Sequence, residues 1–101
     1  MIEDIRRKVI DDQFEFSLHA LDNSIIRRIS VQELRQAIAA GEVIEDYHHD
    51  KYGPSCLIFG YTESGRPIHI QCSYPNRDLI KIITLYEPNE ANWIEFRARR
   101  V

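Results

Sequence analysis

The chain has 101 residues, 44% of them hydrophobic and 29% charged, with no Gly-, Pro- or Ser-rich tract, which fits a single domain with one core. A formal charge of −3 excludes a uniformly basic surface of the kind that binds nucleic acid nonspecifically, although it leaves room for a local patch. No apolar run approaches the roughly 20 residues of a membrane span, and the charged start "MIEDIRRKVIDD" lacks a signal-peptide apolar stretch, so a soluble cytoplasmic protein without a membrane partner is expected.

In chain order, Ile2, Ile5 and Val9 recur at near-helical spacing and predict a short amphipathic helix over 2–12. "FEFSLHA" follows as a break or short strand. Within it Ser17 can cap a second helix running from Leu18 to about Arg28, which puts His19 in the first turn. "SVQELRQAIAAGE" has Ser30 with Glu33 three residues later, a capping box, and predicts a third helix over 30–40 that stops at Gly41.

Beyond Gly41 the period becomes strand-like. "EVIEDYH", "SCLIFGY", "RPIHIQCSY" and "LIKIITLYE" are separated by the turn signals "KYGP", "TESG" and "PNRD", which predicts a four-stranded antiparallel meander over 42–87. "EPNEANWIEFRARR" then predicts a turn and a short terminal helix, anchored to the sheet by Trp93 and Phe96 three residues apart. The expected fold class is therefore α+β: N-terminal helices on a four-stranded meander, with a short C-terminal helix, in a single domain over 1–101. Cys56 and Cys72 lie in apolar strand contexts and read as buried free thiols.

In "GRPIHIQC", Ile68, Ile70 and Cys72 share one strand face while His69 shares the other with Gln71 and Pro67. A histidine on a polar sheet face is an ordinary surface residue unless other groups converge on it. Metal binding is the first alternative, but the adjacent His48 and His49 point apart if extended, and no His pair at helical spacing is present; no metal or cofactor is expected. Metal-free RNA cleavage needs two proton-transfer groups and a cation around one phosphate. His19 and His69 suit the proton roles, because imidazole titrates near neutrality. Arg27 could hold the phosphate, with Arg66 beside His69 and Arg28 in the same basic cluster as substrate-binding candidates. Thr84 and Tyr86 share a face of the last strand and could add hydroxyl donors, although a sheet surface of good β-formers accounts for them equally.

Taken together, "FSLHALDNSIIRRIS", "GPSCLIFGYTESGRPIHIQCS" and "IITLYEPNEANW" resemble the bacterial family named domain of unknown function 4258, over about Phe14 to Trp93. The resemblance implies a fold similar to RelE-like and barnase-like toxins, and a ribonuclease toxin encoded beside a small antitoxin, commonly with a zinc-finger segment and a helix-turn-helix. Its opening histidine falls on His19, its helix arginine on Arg27, its strand histidine on His69, and the Thr and Tyr of its last strand on Thr84 and Tyr86. The family often has Arg-Met where this chain has Asn23 and Ser24, which removes one phosphate contact. The activity implied is RNA cleavage, free or ribosome-bound, by 2′-hydroxyl attack. The alternative is a noncatalytic RNA- or protein-binding regulatory domain on the same fold.

Overall fold

The computed structural model describes residues 1–101. Its elements are α1 (Ile2–Ile10), β1 (Phe14–Phe16), α2 (Leu18–Ile26), α3 (Val31–Ala39), β2 (Glu42–Tyr47), β3 (Ser55–Tyr61), β4 (Pro67–Ser73), β5 (Ile80–Tyr86), β6 (Trp93–Ile94) and β7 (Ala98–Arg99). The α+β class and the three helices agree with expectation. No helix is long and apolar enough to cross a membrane.

Two expectations are corrected. The sheet is five-stranded and mixed, in the order β1-β5-β4-β3-β2, because Phe14–Phe16 pairs in parallel with Ile80–Ile82 at the β5 edge. Three residues are too few for a period to show in the sequence. The C-terminal segment is a β-hairpin, with Trp93 opposite Arg99 and Ile94 opposite Ala98. Its turn places Glu95 and Phe96 at φ 51° and 61°, a left-handed pair that reverses the chain. The three-residue spacing of Trp93 and Phe96 mimics a helix because the same turn brings both rings back onto the sheet. Trp93 packs edge-on to His69 with centroids 4.5 Å apart, and Phe96 lies 6.0 Å from Phe59.

The helix ends follow local chemistry. Ser17 accepts from the Ala20 amide, and Ser30 and Glu33 form the expected reciprocal capping box. α2 ends in a Schellman motif, in which the Ile29 amide donates to Ser24 O (3.0 Å) and the Arg28 amide to Ile25 O (3.3 Å), with Arg28 at φ 53°. Gly41 follows a non-left-handed cap at Ala40 and acts through size: a Cβ there would lie 2.6 Å from the Ala37 carbonyl oxygen. Gly60 on β3 meets the same carbonyl, so two glycines let α3 sit directly on the sheet.

α1 and α3 bury Ile5, Val9, Leu34, Ala37 and Ile38 against Ile58, Ile68, Ile70, Ile80, Ile82 and Leu85. Each large aliphatic buried there contributes about 1.5–3 kcal/mol. Cys56 and Cys72 face each other across β3 and β4 in this core as free thiols. α2 protects the β5 edge where β1 stops. The Ser17 hydroxyl donates to Ile83 O (3.0 Å) and the Arg27 guanidinium to Leu85 O (2.9 Å), satisfying edge carbonyls two residues apart. A bulge opposite Gln71 and Cys72 resets the register so that Tyr86 lies beside His69.

Candidate functional site

On β4 the side chains of His69, Gln71 and Ser73 alternate with the core residues and point to the face opposite the helices. His69 is nevertheless 0% exposed, because the β6–β7 hairpin closes over it. Its Nε2 lies 2.6 Å from Phe96 O and its Nδ1 3.1 Å from the Tyr86 hydroxyl. A carbonyl can only accept, which assigns the ring proton to Nε2 and makes Nδ1 the acceptor for the Tyr86 O–H. Burial pulls the His69 pKa below its ordinary 6.5, with the Phe96 carbonyl and Glu45 pushing back and Arg99 adding to the fall. The ring is therefore neutral at neutral pH.

Tyr86 connects this buried ring to solvent. It is half-buried, and burial raises its pKa above 10, so it carries its proton at neutral pH. Above it opens a cleft of about 460 Å³ lined by Arg27, Arg66, Tyr86, Glu87, Asn92 and Trp93, among others. The Arg27 guanidinium lies 5.8 Å from the Tyr86 ring centroid, held there by its bond to Leu85 O. A second depression of about 380 Å³ adjoins on the far side of Tyr86 and adds Arg99 and Arg100. Arg99 lies over Trp93 (4.7 Å) and donates to Glu45 (2.9 Å), a partner that raises its already high pKa and locks its charge.

The expected site residues divide clearly. His69, Tyr86 and Arg27 come together. Thr84 lies on β5 near the cleft, but its hydroxyl accepts from Asn23 Nδ2 (3.0 Å) and ties α2 to the sheet. Arg66 lines the cleft with its donors already used: it bonds Arg28 O (2.7 Å) and Arg27 O (2.9 Å) at the end of α2 and pairs with Glu33 and Glu87. Arg28 is exposed beside this staple. His19 is exposed in the first turn of α2, about 12 Å along the helix axis from Arg27 by the rise per residue, and does not line the cleft. His48 and His49 lie with tilted rings 4.0 Å apart beside a turn, and no group of three or more His, Cys, Asp or Glu side chains is placed to hold a metal ion.

Asn92, Arg99 and Arg100 carry no motif. Arg99 and Arg100 show in the sequence only as the basic run "FRARRV", which reads as a solvated face until the hairpin folds it back beside Tyr86, and Asn92 sits unremarked in "EPNEANW".

Residues 16–87 match the family model described as domain of unknown function 4258. The chain belongs to this family. No curated protein and no solved structure matches it. Within the matched segment, Asn23 and Ser24 have structural partners: Asn23 holds Thr84, and the Ser24 hydroxyl donates to Ile29 O (2.5 Å). The cleft walls at Asn92, Arg99 and Arg100 lie outside the matched residues.

Proposed function

We propose that this chain is a metal-independent endoribonuclease that acts in the bacterial cytoplasm as the toxin of a toxin–antitoxin pair, with Tyr86 at the reaction centre. The observation that carries this reading is Tyr86, half-buried, with its hydroxyl hydrogen-bonded to a buried neutral histidine and its side chain lining a cleft flanked by Arg27, Arg99 and Arg100. Helices packed on a largely antiparallel sheet support kinship with RelE-like and barnase-like ribonuclease toxins. The resemblance supplies the other partner, an antitoxin with a zinc-finger or helix-turn-helix segment.

In this mechanism the 2′-oxygen attacks the adjacent phosphorus, and Tyr86 Oη takes the 2′-hydroxyl proton while passing its own to His69 Nδ1. His69 touches no substrate and is a positioning residue, its cationic form held by the Nε2–H bond to Phe96 O. Arg27 and Arg99 offset the negative charge that builds on the phosphoryl oxygens. The P–O5′ bond breaks, water protonates the leaving oxygen, the proton on His69 returns through Tyr86 to the hydroxide left behind, and the products are a 2′,3′-cyclic phosphate and a 5′-hydroxyl.

The test is incubation of purified protein with a mixed RNA, free and ribosome-engaged, in the presence of a chelator. Wild type should cleave. Tyr86→Phe and Arg27→Ala should each lose about 10²–10⁴-fold, while His19→Ala should match wild type. Growth arrest on expression, relieved by Tyr86→Phe, would support the toxin role. One observation favours a noncatalytic RNA-binding domain instead: both His69 nitrogens are bonded and its ring is enclosed by Phe59, Tyr86 and Trp93, as a packing element would be. Folded wild type that binds RNA and leaves it intact decides for that second reading.

A further inference from the structure

The Tyr86 cleft does not end at Asn92. Four surface depressions of roughly 380–500 Å³ follow one another, each sharing lining residues with the next, and together trace a groove. Tyr86 and Trp93 belong to the first two, Arg99 links the second to the third, and Gln71 and Asp50 link the third to the fourth, which reaches Arg77 and Lys81. Charge is segregated along it. The lining holds six of the thirteen Lys and Arg residues but two of the sixteen Asp and Glu, a balance of +4 in a chain whose net charge is −3, and Glu33, Glu45 and Glu15, paired with Arg66, Arg99 and Lys81 from beside the lining, offset three of those charges.

At the end far from Tyr86 stands Tyr52, a tyrosine left 85% exposed on the turn after β2. Neither the core nor the hairpin uses it. An exposed aromatic face at one end of a basic groove is the arrangement that stacks an unpaired base while cations follow the backbone. Gln71, where the third and fourth depressions meet, offers an amide carbonyl of the kind that contacts sugar and base edges, its Nε2 donating to Ser55 Oγ (3.1 Å).

We infer that this groove is an extended single-stranded RNA track, which holds at least about four nucleotides between the Tyr86 cleft and a base stacked on Tyr52. The inference rests on the Tyr86 cleft taking RNA and adds the remainder of the binding site. The phosphates run past Arg27, Arg100, Arg99, Lys81 and Arg77. Lys81 and Arg99 are paired with Glu15 and Glu45, so counting all five in full sets a limiting salt slope of about −3.5 at about 0.7 per phosphate for a single strand. A duplex would present no free base to Tyr52.

The experiment is fluorescence anisotropy with labelled 2′-O-methyl oligouridylates of two and eight nucleotides, which cannot undergo 2′-hydroxyl attack, so that binding is read apart from cleavage. The proteins are wild type and two surface variants, Tyr52→Ala and the double variant Arg77→Ala/Lys81→Ala. Wild type should bind the octamer at least about tenfold tighter than the dimer. Tyr52→Ala should weaken octamer binding by about 5- to 100-fold with no effect on the dimer. The double variant should lower the magnitude of the salt slope by about 1.4. Equal affinity for dimer and octamer, octamer binding unaffected in both variants, or equal binding of duplex and single strand would each overturn the track. If that happens while wild type still cleaves RNA through Tyr86, the nuclease stands and the track falls. Length-dependent binding by a protein that leaves RNA intact supports the track and removes the nuclease.

Discussion

Replacing His69 with phenylalanine separates the ring's packing from its two hydrogen bonds. The apolar ring can keep the edge contacts with Trp93, Phe59 and Tyr86. The Phe96 carbonyl loses its donor under the hairpin, which costs about 1–3 kcal/mol for a buried acceptor. The Tyr86 hydroxyl can turn to water in the cleft, at a cost below about 1 kcal/mol. A net loss of about 1–3 kcal/mol lowers Tm by about 5–15 °C for a domain of this size. Trp93 is the sole tryptophan and sits on His69, so its fluorescence reads the hairpin directly in thermal or urea melts. The pH profile sharpens the test. Because burial places the folded pKa of His69 below the unfolded 6.5, the unfolded chain binds a proton first as pH falls. The ring's contribution is complete above pH 6.5 and is lost as pH falls towards the folded value, with a slope of at most about 1.4 kcal/mol per unit. The gap between wild type and His69→Phe should therefore be widest above pH 7 and narrow below 6.5. A variant with wild-type Tm, or a gap that stays constant from pH 7.5 to 5, would refute this account of His69.

Three further outcomes are expected. Arg66→Ala should cost about 2 kcal/mol in urea denaturation, because it frees two carbonyls at the end of α2 together with Glu33 and Glu87; Arg66→Lys should restore little, since an ammonium cannot reproduce the guanidinium fork. Gly60→Ala should destabilise by at least about 3 kcal/mol or abolish folding, read by circular dichroism, because its Cβ would occupy the space of the Ala37 backbone carbonyl. Arg28→Gly should raise stability by about 0.5–1 kcal/mol in the same urea melts, since a non-glycine residue holds the left-handed position that closes α2.

The legible parts of the fold were those with long periods and local partners. Ser17, Ser30 and Glu33 announce helix starts because their hydrogen bonds close within three residues. The strands from Glu42 to Tyr86 show because six or seven residues of alternation suffice to mark a face. "FEFSLHA" could be read as a short strand, but its place in the sheet was illegible, because β1 pairs with β5, a partner more than sixty residues away. The C-terminal hairpin was illegible because its turn contains neither Gly nor Asn at the two left-handed positions, so Trp93 and Phe96 were left to suggest a helix by spacing alone. In the site, residue type pointed to His69, Tyr86 and Arg27, but spacing carries no information on whether a polar side chain is free. Thr84 and Arg66 have the right chemistry, and tertiary hydrogen bonds have already claimed it.

The same hydrogen bonds explain how an acidic chain can support a basic site. Arg27 is fixed because a β5 edge carbonyl needs a donor, and Tyr86 is fixed because a bulge brings it opposite His69. Both requirements belong to the sheet and fall within the residues shared with the family. Arg99 and Arg100 arrive by another route, on a hairpin whose rings cover His69 and whose Arg97 and Arg99 pair with Glu42 and Glu45 on β2. These surface pairs contribute little energy singly, on the order of 0–1 kcal/mol, yet they determine where the tail's cations point. The sheet thus sets the position of Tyr86, while the tail sets the charge and width of the approach to it. Removing the tail would expose His69 and leave Tyr86 beside Arg27 without the far wall of its cleft.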